Sequence, residues 1–157
     1  MSSETISHVE VDSVDFAIYL YNKAINKNLT INVTKIQKWL YICYGVYFAA
    51  HSKQLLSERP QAWKHGPVFP NVHSKQINNN NSLKGLAMSK NENELMKYDF
   101  IINAVLVHFG TWSAQGLVTW TTSADDGRAW SIKYHNDGAF APMDNDDIKN
   151  DFKRYIS

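Results

Sequence analysis

Residues 39–50, WLYICYGVYFAA, constrain this chain more than any other stretch. They carry no charge, yet they fall well short of the ~20 residues a membrane-crossing helix needs. A segment apolar on most of its sides must instead lie inside a folded domain. Ile36, Trp39, Leu40, Cys43, Tyr44 and Tyr47 recur at helical spacing, and Val46 and Phe48 widen that stripe, so neighbours must cover two sides. Gly45 interrupts it at a cost of about 1 kcal/mol against alanine, which a close crossing by another helix would explain. Thr34 followed by Gln37 three residues on has the capping-box pattern, so the expected helix opens there.

Around this rod the periodicity predicts further helices. One starts near Asp12 or Ser13 and presents Phe16, Ala17, Leu20, Tyr21, Ala24 and Ile25. Another runs over about 94–109, with Tyr98, Ile101, Ile102, Val105 and Phe109 on its stripe. Ser113 caps a short helix, AQGLVTWTTS. ADDGRAW reads as a turn and YHNDGAFAPM as irregular, with room for a short extended piece. Asp144 caps a last helix carrying Ile148, Phe152, Tyr155 and Ile156. The Asn-rich segment 74–93 has no period and is expected to be a mobile loop, and residues 1–11 a flexible tail. The fold class expected is mainly α: a single compact multi-helix domain over 1–157, with a proline-rich corner.

That corner, residues 60–73 (PQAWKHGPVFPNVH), holds three of the four prolines, two histidines, a tryptophan and a phenylalanine. Pro67 and Pro70 fix their own φ and bias Gly66 and Phe69 toward extended backbone. A stiffened segment displays side chains at low ordering cost, which suits binding as well as it suits a structural corner.

The bulk numbers exclude several classes. The chain has 157 residues and 44% apolar content, enough for one domain with a real core. Formal net charge is +1, which argues against nucleic acid or an anionic membrane as partner. The single cysteine, Cys43, allows no internal disulfide and lies in the most apolar helix, as a core residue would. No basic segment followed by an apolar run opens the chain, so the expected location is cytoplasmic.

Chemistry finds little support. Among His8, His51, His65, His73, His108 and His135 no pair has the i, i+4 metal-ligand spacing, and no metal or cofactor is expected. Asp125 and Asp126, with Gly127 following and Arg128 nearby to offset their charge, read as a turn before an acid–base pair. A small hydrolase centred on Asp125, Asp126 and His135 is the weakest of three functional readings. Trp63, Trp112, Trp120 and Trp130 stay open between core packing and interface anchoring.

The pair KIQKWLYICYGVYFAAHSKQLL and PQAWKHGPVFPNVH resembles the Panacea antitoxin domain family, which includes GepA-like and SocA-like proteins. Lys35, Ile36, Gln37, Lys38, Leu40 and Tyr41 fit the first half of its pattern; Ala62, Trp63, Gly66, Pro67, Val68, Pro70 and Val72 fit the second. WTTSADDGRAW echoes a later threonine-rich helix end, with Ala129 in place of a usual proline and Trp130 keeping its position. His65 and His73 stand where tyrosines are common. The resemblance implies Lys35, Gln37, Tyr41, Trp63, Gly66, Pro67, Pro70 and Trp130 as a fold signature, with Trp63 packed on the second helix. It implies an antitoxin that binds a cognate protein toxin without catalysis, in some relatives also delivering it to a host protease. The alternative is a phage or prophage interaction protein, a protease adaptor or anti-defence factor, on the same fold. Lys64, His65, Phe69 and His73, read as exposed neighbours of the signature, are the candidate partner surface.

Overall fold

A computed structural model describes residues 9–123 and 127–156. Helix α1 (Ser13–Asn26) starts where Asp12 accepts from the Asp15 N–H. Its buried side is Phe16 to Tyr21 and Ala24, while Ile25, expected on that side, is half exposed. Helix α2 (Val33–His51) is capped by Asn32, not Thr34: the Asn32 side chain accepts from the Lys35 N–H. Gln37 is thereby free of any capping role.

The corner is a small sheet followed by a helix. Strands β1 (Gln61–Trp63) and β2 (Gly66–Val68) form a hairpin across Lys64 and His65, with Trp63 opposite Gly66. A third strand, β3 (Ala141–Pro142), pairs antiparallel with β1, giving the order β2-β1-β3. Helix α3 (Pro70–Asn78) follows, with Pro70 in its first turn, where the missing N–H is harmless. The stretch expected to be loop from residue 74 is therefore helical to Asn78. Beyond it Leu83 is buried, and Asp15 accepts from both the Ser89 N–H and hydroxyl. Val11, the last residue of the expected tail, bridges to Leu56 and donates to the Leu55 carbonyl.

A 3-10 helix (Glu92–Tyr98) leads into α4 (Asp99–Phe109), then α5 (Ala114–Thr122), whose N–H of Gly116 is capped by Ser113. Helix α6 (Ala129–Asp137) occupies residues read from sequence as turn and irregular chain. Helix α7 (Asn145–Phe152) and a final 3-10 turn (Lys153–Tyr155) close the domain.

Helix α2 is the axle. It packs against α1, α3, α4, α5, α7 and β2, and Trp39, Leu40, Tyr41, Cys43 and Tyr44 are fully buried. Gly45 has the close crossing its sequence position suggested: a Cβ there would sit 2.2 Å from the Phe152 ring of α7. Burial raises the pKa of the Cys43 thiol and leaves it a core residue. No single helix among the described residues is long and apolar enough to cross a membrane.

Candidate functional site

The hairpin corner is fixed by polar side chains buried on α2. The Phe69 N–H donates to Gln37 Oε1 at 2.8 Å, and Gln37 Nε2 donates to the Phe69 carbonyl and to Gln76 Oε1. Lys38 Nζ donates to the Pro67 carbonyl at 3.0 Å. Burial without a carboxylate pushes the Lys38 pKa down to about 8. Gly66 has φ +119, and a Cβ on it would meet Lys38 Cε at 2.9 Å, so the turn needs glycine twice over. Lys35, also buried, donates to the Gly110 carbonyl and lies over the Trp39 ring, tying the far end of α4 to α2. The Tyr41 ring meets Phe152 edge-on at 5.4 Å. The side of the hairpin away from α2 is held by α6: Trp130 Nε1 donates to the Trp63 carbonyl at 2.7 Å. The ring partners of Trp63 lie on α3 and just before β3. Trp63 is half-buried between His73 (4.8 Å between ring centres) and Phe140 (5.2 Å).

The corner's outer surface differs from the sequence expectation at one position. Lys64 and His65 are exposed at the hairpin tip, and His73 is half-buried against Trp63. Phe69 is wholly buried, 5.5 Å from the Tyr44 ring, because both of its backbone polar groups are spoken for by Gln37. It belongs to the core and leaves the partner surface. Beside the corner, Phe140 is 61% exposed, edge-on to Trp63, and held at φ +70 by its N–H bond to the Ala62 carbonyl. A left-handed aromatic residue carries backbone strain, which the edge contact with Trp63 offsets in part. Its sequence context, Gly-Ala-Phe-Ala in an irregular stretch, contained no sign of this.

A family model described as "Antitoxin SocA-like, Panacea domain" matches residues 36–130. The chain belongs to that family. No curated protein and no solved structure shows a significant match. The Panacea match takes in α2, the hairpin, α4, α5 and Trp130, and so includes the Gln37, Lys38 and Trp130 ties to the corner. It stops before β3, Phe140 and the C-terminal helix.

A second surface adjoins the Panacea span. Helices α2, α4 and α5 and the C-terminal turn enclose an open cleft of about 480 Å³, walled by Ile101, Val105, Phe109, Trp112, Trp120 and Tyr155, with Phe152 at its floor. Behind that wall lies Arg128, fully buried, its guanidinium 4.1 Å from the Trp120 ring centre and 5.0 Å from that of Tyr155. Arg128 Nε pairs with Asp151 at 2.8 Å, and Asp151 also accepts from the Ala129 N–H. The partner of Arg128 is therefore a carboxylate 23 residues away on α7. Asp125 and Asp126, the neighbours it was expected to offset, lie outside the described residues.

The histidines among the described residues form no metal-ligand group, and His8 lies outside them. His51 meets the Tyr47 ring at a tilt, His108 lines the cleft, and His135 Nδ1 donates to the Ser131 carbonyl at 2.8 Å. Among the described residues no three His, Cys, Asp or Glu side chains converge as metal ligands. The described tryptophans divide as follows: Trp39 and Trp130 are core, Trp63 and Trp120 half-buried, and Trp112 exposed at the cleft rim.

Proposed function

We propose that this Panacea-family chain is an antitoxin that neutralises a cognate protein toxin by covering it, acting through binding and without chemistry of its own. The family match carries the reading. The corner gives it a surface: Lys64 and His65 at the tip, His73 and Trp63 beside them, and the strained, exposed ring of Phe140. Backbone bonds to Gln37, Lys38 and Trp130 hold this patch before any partner arrives, so little ordering entropy remains to be lost on docking. An exposed aromatic flanked by a cation and histidines has the composition of an interface anchor.

The experiment is co-expression of the chain with its genomic neighbour. The neighbour alone should arrest growth, the pair should grow, and the two chains should co-purify. The double variant Lys64→Ala, Phe140→Asp should keep its circular dichroism spectrum and lose rescue. Full rescue by that folded variant would take the corner out of the interface. A harmless neighbour that does not co-purify would remove the antitoxin reading itself.

A further inference from the structure

The cleft between α4 and the C-terminal turn shares no lining residue with the corner. We infer that it is a docking trough for an amphipathic helix of a partner protein, apolar along one face and acidic along its flanks. The inference goes beyond the antitoxin reading: it requires a protein partner, but neither that the partner be toxic nor that it touch the hairpin.

The cleft is open and apolar, and the exposed face of α4 extends it. Phe100, Ala104 and Val107 fall at i, i+4 and i+7, so they form one stripe beside the cleft, with Ala104 in its wall. Phe100 is 61% and Val107 73% exposed, and Trp112 and Tyr155 open onto the same side. A contiguous apolar surface of this kind on a folded domain marks an interaction site. Helix α4 has 11 residues, about 16 Å of wall, which matches some three turns of a helix laid alongside it.

Charge selects the occupant. No Asp, Glu, Lys or Arg occurs in residues 100–123, and the one carboxylate of α4, Asp99 at its first position, is taken up by Lys23 and the Tyr19 hydroxyl. No Lys or Arg lines the cleft itself; at its C-terminal rim stand exposed Lys153 and Arg154, the latter's guanidinium 5.5 Å from the Tyr155 ring centre, while Lys149 is turned to the Ser52 hydroxyl. The carboxylate next to that rim, Asp151, is buried against Arg128 and Arg154. Asp146 and Asp147 sit at the opposite end of α7, more than a turn from Phe152 and rotated off its face. Among the described residues, then, the cleft has an apolar floor and a cationic edge. An acidic flank on the incoming helix complements that edge. The surface is concave, which suits a helix laid into it; a bilayer instead receives side chains that protrude from a convex face.

The test uses the intact chain and three labelled peptides of about 18 residues, long enough to become helical on docking. One carries Leu and Phe at i, i+3, i+4 and i+7 with Glu flanks, one has Lys in place of Glu, and one scrambles the acidic sequence so that no apolar face forms. Fluorescence anisotropy should show micromolar binding of the acidic helix, at least tenfold weaker binding of the basic twin at low salt, and none of the scramble. The gap should narrow as salt screens the rim. Ala104→Glu and Val107→Glu, both on exposed positions, should each weaken binding at least tenfold, while Phe140→Asp at the corner should leave it unchanged. Equal binding of the acidic and basic peptides, or binding of neither, would overturn the proposal. So would tight association with phosphatidylglycerol vesicles that Ala104→Glu abolishes, since the cleft would then be a membrane surface.

Discussion

The hairpin corner and the apolar cleft both hang from α2, yet different forces hold them. The corner is placed by directional bonds from buried Gln37 and Lys38 to the backbone of Phe69 and Pro67. The cleft wall is placed by stacking of Trp120 and Tyr155 on Arg128, a contact that needs proximity but little angular accuracy. The first arrangement fixes a backbone to within fractions of an ångström; the second fixes a slab of aromatic surface whose rings can adjust. A rigid tip suits one partner geometry, and a compliant trough accepts helices of varied sequence. The corner's ties also lie inside the family match, whereas Phe152 and Tyr155 lie beyond it.

The largest expected effect lies where the two regions join. Asp151 pairs with Arg128 behind the cleft and accepts from the Ala129 N–H beside Trp130, which holds the hairpin. Asp151→Ala leaves a fully buried guanidinium without its carboxylate and should lower stability by about 3–5 kcal/mol in urea unfolding. Backbone hydrogen exchange should then quicken at both Trp63 in the corner and Trp120 in the cleft wall. Quickening at only one of them would mean that the regions are not coupled through this carboxylate.

Lys38 separates the two regions by pH. Its pKa is lowered from 10.5 to about 8 in the folded chain, so below pH 8 the charged amine carries its full desolvation penalty. Between pH 8 and 10.5 the folded state releases this proton while the unfolded chain keeps it. The unfolded state then binds more protons, and stability rises with pH. The gain is at most about 3 kcal/mol. Burial raises the pKa of Cys43 and Tyr41, which works in the opposite direction as the unfolded chain ionises first. The measurement is therefore a difference: the stability of the native chain minus that of Lys38→Met should climb across this interval. A flat difference would show that Lys38 is hydrated and that the corner is looser than its bonds to Pro67 imply. Because a neutral amine still donates, the hairpin should stay closed throughout.

How far each region could be read in the sequence follows from what builds it. Helices α1 and α2 were legible because a long apolar period leaves few alternatives, and Gly45 pointed to the crossing by α7. The start of α2 was misplaced because Asn32 and Thr34 are both good caps, and Gln37 completes a capping box only if nothing distant needs its amide. Helix α3 was hidden because Pro70 was read as stiffening an extended corner, although the first helical turn also tolerates it, and because the polar residues after it show no period. Helix α6 was hidden by its polar composition, with Ala129 and Trp130 its buried apolar residues. The corner's residues were legible as a motif, but the burial of Phe69 was not, because it depends on a bond to a side chain 32 residues earlier. The cleft was not legible at all: it exists only once α2, α4, α5 and the last turn meet.

The smallest expected effect on stability bears most directly on whether the corner is a binding tip. Phe140 sits at φ +70, a conformation that costs a side chain of this kind about 1–2 kcal/mol and that asparagine tolerates. Phe140→Asn relieves that strain and removes an edge contact with Trp63, itself worth about 0.5–1.5 kcal/mol. The two terms nearly cancel, so the urea midpoint should correspond to a change within about 1 kcal/mol of zero. Binding of the proposed toxin should nevertheless weaken, since the exposed face of the ring is lost. A variant that unfolds instead would make Phe140 a strut of the three-stranded sheet. A variant with unchanged stability and unchanged toxin affinity would leave the cleft as the surface through which this domain grips its partner.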